Sequence, residues 1–157
     1  MHLFDITKPV VGKAKIEINK SVDSVFCFVG EHFFENYPKW ALEVEEFKPL
    51  TGDEIFIGAK AQQVRFEYGQ KVESVFEISA FEPPKTVTVR GIDTPYRNTY
   101  QLSADNERNL TELEFSFEIL ELELFMRPFE KLIRMAIEEG AENTVTNIKN
   151  LLGDGIQ

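Results

Sequence analysis

Apolar and polar residues change rhythm along this chain, and the changes mark its elements. From Lys13 to Asn19 the two kinds alternate, with Ala14, Ile16 and Ile18 on one side and Lys13, Lys15, Glu17 and Asn19 on the other. A period of two is that of a half-buried strand. Met1 to Gly12 show no clear period and are expected to form an arm or a first edge segment. Ser21 suits a helix N-cap, with Asp23 set against the positive end of the helix dipole. Val22, Val25, Phe26 and Val29 recur at helical spacing, with Gly30 as the expected stop. A second short helix is predicted from Glu31 to about Tyr37, ended by Pro38, with Trp40 just beyond it.

From Leu42 onward the rhythm is that of strands and turns. Leu42 to Leu50 reads as a strand closed by Thr51-Gly52-Asp53. Glu54 to Tyr68 reads as one bent strand or two short ones broken at Gly58. Ala59 and Ala61 share one parity there, while Val64, Phe66 and Tyr68 share the other, so a bulge near Gln62-Gln63 is predicted. Tyr68-Gly69-Gln70-Lys71 is a hairpin turn, Val72 to Phe81 the return strand, and Glu82-Pro83-Pro84-Lys85 its break. Strands follow at Thr86 to Gly91, Tyr96 to Leu102 and Leu110 to Leu120. In the last, Leu113, Phe115, Phe117 and Ile119 alternate with Glu112, Glu114, Ser116 and Glu118.

The stretch from about Phe125 to Leu152 returns to a period of 3.6, with Pro128 tolerable only near its start. Its stripe runs through Phe129, Leu132, Ile133, Ala136, Ile137, Gly140, Ala141, Thr144, Val145, Ile148, Leu151 and Leu152. At 1.5 Å per residue this helix is roughly 40 Å long. Most of its stability must come from burying that stripe. The middle is thin, because Ala136, Gly140, Ala141 and Thr144 stand where bulky residues would fill a core. Glycine inside a helix costs about 1 kcal/mol relative to alanine. Gly140 therefore has one of two uses: close approach of another backbone, or room for something else.

The order is strand, two short helices, about six antiparallel strands, long helix, over one domain spanning residues 1–157. A meander needs a cover for its apolar face, and only the last helix is long enough. The fold class is therefore α+β: a curved antiparallel sheet of about seven strands wrapped around a long C-terminal helix, with two short helices after the first strand.

Composition narrows the function. A formal charge of −10 argues against nucleic acid and anionic membrane surfaces, which need clustered Lys and Arg. No apolar run approaches the roughly 20 residues of a membrane span, so no membrane insertion is expected. Met-His-Leu-Phe-Asp-Ile lacks the pattern of a signal peptide, and the single Cys27 excludes an internal disulfide. A cytoplasmic protein is expected. Fourteen Phe, four Tyr and one Trp imply a large aromatic interior, an apolar cavity, or both. His2 and His32 belong to no metal-binding spacing, and no nucleophile, phosphate-loop or dinucleotide motif is present, so no metal or cofactor is expected.

Several stretches resemble the helix-grip superfamily of START lipid-transfer domains, polyketide cyclases and plant pathogenesis-related ligand-binding proteins, also called SRPBCC. They are Ala14-Lys15-Ile16-Glu17-Ile18-Asn19-Lys20-Ser21-Val22-Asp23-Ser24-Val25-Phe26, then Tyr37-Pro38-Lys39-Trp40, then Val75 to Lys85 with its Pro-Pro turn, then Asn147-Ile148-Lys149-Asn150-Leu151-Leu152. The likeness covers about Lys13 to Leu152. It implies an apolar cavity between the sheet's concave face and the long helix, where members bind lipids, sterols, polyketides or hormones and a minority catalyse cyclisation or dehydration.

Strand parity nominates the residues of such a cavity. Val64, Phe66 and Tyr68 share one face, as do Tyr96, Asn98 and Tyr100; Phe115 and Phe117 join them, with Trp40 between the short helices and the sheet. Ile133, Ile137 and Gly140 face them from the long helix. Each has two readings, plain core or cavity wall. Buried hydroxyls and amides need partners, which a ligand can supply. Arg65 and Arg90 pair with Glu67 or Glu77 if they point outward, and with a ligand carboxylate or phosphate if they point inward. Cys27, beside Phe26 and Phe28, is expected to be a buried, inert thiol.

The leading expectation is a monomer or weak homodimer that binds a small hydrophobic molecule, lipid or polyketide-like, in an internal cavity. The alternatives are a cyclase or dehydratase using Tyr68, Tyr96, Tyr100, Asn98 or Arg90 to polarise a carbonyl, or a protein-interaction module.

Overall fold

Strand β1 (Val10–Ile18) opens the fold at one edge of the sheet, and the chain then crosses to the opposite edge through its helices. In this computed structural model residues 8–67 and 69–153 are described. Ser21 caps α1 (Val22–Phe26) by accepting from the Ser24 backbone N–H at 3.2 Å. The helix does not stop at Gly30 as its sequence suggests; it widens into a π turn, Cys27–Glu31. The absent side chain serves packing instead, since a Cβ at Gly30 would lie 2.5 Å from the Phe26 ring. Cys27 lies on the outward side of this turn and is exposed, contrary to the buried thiol expected.

Helix α2 (Phe33–Trp40) contains Pro38 rather than ending at it. Proline removes one backbone donor, but the last turn still closes through Ala41 N–H to the Tyr37 carbonyl at 3.0 Å. Burial of Tyr37 and Trp40 on either side of Pro38 outweighs the lost bond.

Six strands follow: β2 (Val44–Pro49), β3 (Lys60–Glu67), β4 (Gln70–Glu82), β5 (Thr86–Gly91), β6 (Tyr96–Asp105) and β7 (Leu110–Ile119). All pairings are antiparallel in the order β1-β7-β6-β5-β4-β3-β2. Glu54 to Ala59 is not strand, so neither expectation for that stretch holds: a single strand, β3, begins only after Gly58. Register shifts lie on β2 between Val44 and Glu46 and on β4 between Ile78 and Ala80, while β3 runs against β4 with an unbroken register through Gln62 and Gln63. On the outer face Arg97 chelates Glu118 through two bonds of 3.0 and 2.8 Å.

A 3-10 turn (Leu124–Phe129) carries Pro128 into α3 (Glu130–Leu152). The helix packs on β1, β7 and α2. Gly12 makes that contact possible: a Cβ there would sit 2.7 Å from Ile137 Cγ1 and 2.8 Å from the Glu138 backbone nitrogen. Near the other end, Asn147 Nδ2 donates to the Trp40 carbonyl at 3.1 Å and satisfies the C-terminal end of α2. Ala141, Val145 and Ile148 are buried, whereas no residue of α3 before Ala141 is. Phe129 and Leu132, placed by their spacing on the inward stripe, are 52% and 65% exposed. With Leu124, Phe125 and Met135 they form an exposed apolar run.

The closed core is aromatic. Phe33 packs against Phe34, Tyr37, Trp40, Phe76 and Tyr100 with ring centroids 5.2 to 6.2 Å apart.

Candidate functional site

Away from the close contact at Gly12, the first half of α3 and the sheet leave a gap between them. The gap is a cavity of about 710 Å³, inside the roughly 300–1,000 Å³ of ordinary small-molecule sites. Its roof is α3, through Ile133, Ala136, Ile137, Gly140, Ala141 and Thr144. Gly140 now has its reason. A Cβ placed there would meet nothing within 4 Å, so the glycine admits no other backbone and leaves open space.

The floor comes from alternate residues of neighbouring strands. On β6 Tyr96, Asn98 and Tyr100 point inward together, and on β7 Phe115, Phe117 and Ile119 do so. Register places Asn98 opposite Phe117 and Tyr100 opposite Phe115, so polar tips and aromatic rings share one surface. Tyr96 stacks on Phe117 at 5.7 Å, and Tyr100 lies 4.8 Å from Phe115. Trp40 closes one end and is 2% exposed; its Nε1 donates to the Tyr100 hydroxyl at 3.2 Å.

Strand β3 departs from the parity reading. Its inward residues, with Ala59 just before it, are Ala61, Gln63 and Arg65, so Val64 faces away and does not line the cavity. Phe66, 48% exposed, reaches the cavity only at its mouth, beside Val72. Tyr68 lies outside the described residues. Arg90 takes the outward of its two orientations: it is exposed on β5, opposite Glu77 and Arg97, and so is not the ligand-binding or carbonyl-polarising residue that the sequence nominates. The other ten nominated residues, Trp40, Phe66, Tyr96, Asn98, Tyr100, Phe115, Phe117, Ile133, Ile137 and Gly140, all border the cavity.

Arg65 is the inward arginine, and its charge is already engaged. Its Nη2 binds Glu43 at 2.6 Å, its Nε binds Glu67 at 2.9 Å, and its Nη1 donates to the Tyr37 hydroxyl at 3.2 Å. Burial works against the charge, yet Tyr37, Glu43 and Glu67 outweigh it and hold the guanidinium above the usual arginine pKa. Tyr37 in turn donates to Gln63 Oε1 at 2.9 Å. Burial pushes the Tyr37 and Tyr100 phenols well up, and raises Tyr96 to about 12. All three stay protonated at neutral pH and act as hydrogen-bond donors or acceptors without charge. Among the described residues that line the cavity, Asn98 Oδ1 is buried and has no hydrogen-bond partner.

Sequence reasoning missed Tyr37, Gln63, Arg65, Glu43 and Glu67 as one network. Only the polar inward parity of Gln63 and Arg65 could have signalled it, and hydrophobic periodicity discards that signal. Among the described residues no three His, Cys, Asp or Glu side chains converge as metal ligands, and no helix is long and apolar enough to cross a membrane.

A seven-stranded curved antiparallel sheet gripping a long C-terminal helix, with a cavity between them, defines a ligand-binding fold of the helix-grip class. Residues 10–153 match the model of the family described as polyketide cyclase / dehydrase and lipid transport, and the chain belongs to that family. TTHA0849 from Thermus thermophilus superposes with a TM-score of 0.69 at 15% identity, over 89% of this chain and 94% of that one. The protein XoxI from Bacillus cereus gives 0.67 at 15% identity, over 90% and 94%. Ara h 8.0201 gives 0.62 at 11% identity, over 91% and 97%. At such identities these likenesses show the shared fold. No curated protein matches the chain by sequence.

Proposed function

We propose that this protein binds a small hydrophobic molecule, lipid or polyketide-like, in the cavity between α3 and the sheet. The observation that carries the reading is the unfilled volume of about 710 Å³ beneath Gly140, where the helix offers only small or aliphatic side chains. Burying a ligand's apolar surface there yields about 25 cal/mol per Å², which makes an empty apolar cavity of this size a site for a guest. Native mass spectrometry of gently purified protein tests the reading. A co-purified mass in the range of a lipid or polyketide supports it. Apo protein that also fails to take up any of a panel of such molecules overturns it.

A second reading is a cyclase or dehydratase. It is favoured by the three polar tips on one strand, Tyr96, Asn98 and Tyr100, all neutral and able to hold a carbonyl oxygen. Against it stands the state of the lining carboxylates: among the described residues these are Glu43 and Glu67, and both are tied to Arg65. Binding without chemistry is therefore the preferred function. Conversion of a bound polyketide-like substrate that is lost in Tyr96→Phe and Tyr100→Phe, with binding retained, would reverse that preference.

A further inference from the structure

The polar side of the cavity is specific about charge and about hydrogen bonding. Glu43 and Glu67 set two negative charges against the single positive charge of Arg65, leaving the cluster net negative. Every nitrogen of the Arg65 guanidinium already has a partner on the protein. An incoming carboxylate or phosphate would thus enter an apolar space beside an excess of negative charge, where Arg65, the lining cation among the described residues, is already outweighed by two carboxylates, and burying an uncompensated charge is strongly unfavourable. The formal charge of −10 over the whole chain adds to this repulsion.

Asn98 asks for the opposite kind of guest. Its side chain is on the cavity floor, the residue is 9% exposed, and its Oδ1 accepts no hydrogen bond from the protein. A buried acceptor without a donor is costly; Oδ1 lies just under the cavity surface, and turning the amide about its broad χ2 torsion brings it into the cavity, where a ligand O–H removes that cost. Two neighbours on β6 complete the subsite. The Tyr100 hydroxyl uses its oxygen to accept from Trp40 and keeps its own proton to give, and Tyr96 reaches the same space. Successive inward residues of a strand lie about 7 Å apart, so a hydroxyl at Asn98 can also accept from a flanking tyrosine.

We propose that the cavity selects uncharged amphiphiles that donate a hydroxyl to Asn98 Oδ1, and that the Glu43–Arg65–Glu67 cluster acts as a filter against anionic headgroups. The inference rests on the ligand-binding reading above.

Three probes with one alkyl chain and different heads separate the terms: dodecanol, methyl dodecyl ether and dodecanoate. Each displaces the uncharged dye Nile red from the protein below its own aggregation threshold. Dodecanol is expected to bind about tenfold tighter than the ether, about what leaving one buried acceptor unpaired costs, with dodecanoate weakest. Asn98→Leu should erase the alcohol's advantage over the ether. Glu67→Gln should narrow the gap between dodecanoate and dodecanol several-fold. The proposal is overturned if dodecanoate equals or exceeds dodecanol on the unmodified protein, or if Asn98→Leu keeps the alcohol preference. Should Asn98→Leu fail to fold, the three affinities of the unmodified protein still decide. Equal binding of all three overturns the headgroup selection and leaves the ligand-binding reading standing. Binding of none overturns both.

Discussion

The two halves of α3 carry the same amphipathic stripe and end in opposite circumstances. From Ala141 onward the stripe reaches the core, with Ala141, Val145 and Ile148 buried and Asn147 tied to the end of α2. Before Ala141 it spans the cavity, and none of its residues is buried. Two glycines make the contrast sharper. Gly12 lies so close to α3 that no side chain fits, while Gly140, on α3 itself, faces empty space. One fixes how near the helix comes to the sheet, and the other keeps the space so created open. Periodicity thus marks a face that must be covered, and the cover is a side chain in one half and a proposed ligand in the other.

The contrast breaks or holds under substitution. Ile148→Ala should cost about 2–5 kcal/mol, because it opens a hole in closed core. Ile133→Ala, on a wall that already borders empty space, should cost no more than about 1 kcal/mol of lost apolar contact. Chemical denaturation compares the two, and equal losses would mean the first half of α3 is core after all. Gly12→Ala should destabilise by about 1–3 kcal/mol through overpacking against Ile137 and Glu138. Gly140→Ala should raise stability by up to about 1 kcal/mol, since the helix gains propensity and the new methyl meets nothing. Gly140→Phe is expected to keep the fold while lowering affinity for a hydrophobic probe about tenfold or more, as the ring takes the ligand's place. Unchanged probe binding in that variant would move the site elsewhere.

A further effect is confined to alkaline pH. Burial raises the Tyr96 phenol to about 12, whereas an unfolded chain releases that proton at about 10. The folded state holds the proton longer, so the contribution is complete below about pH 10 and is lost as pH rises toward about 12. Denaturation midpoints should be flat in this respect up to about pH 10 and fall above it, less steeply in Tyr96→Phe.

Much of the architecture is legible because it is local. The alternation of β1, β5 and β7, the Ser21 cap and the inward set Tyr96, Asn98 and Tyr100 follow from neighbours a few residues apart. The misreadings share a cause. Polarity alone turns Gln63 and Arg65 outward, although Tyr37, Glu43 and Glu67 satisfy them from within. Val64 is then assigned the wrong face with them. Pro38 reads as a stop because its lost bond is visible in sequence and the burial of Tyr37 and Trp40 is not.

By itself, then, the sequence determined the elements, their faces over most strands, and the thin centre of the last helix, since each depends on spacing along the chain. Only the tertiary structure decided that the thin centre faces empty space. That volume depends on the sheet's curvature and on how closely Gly12 lets α3 approach β1, distances that no local pattern encodes.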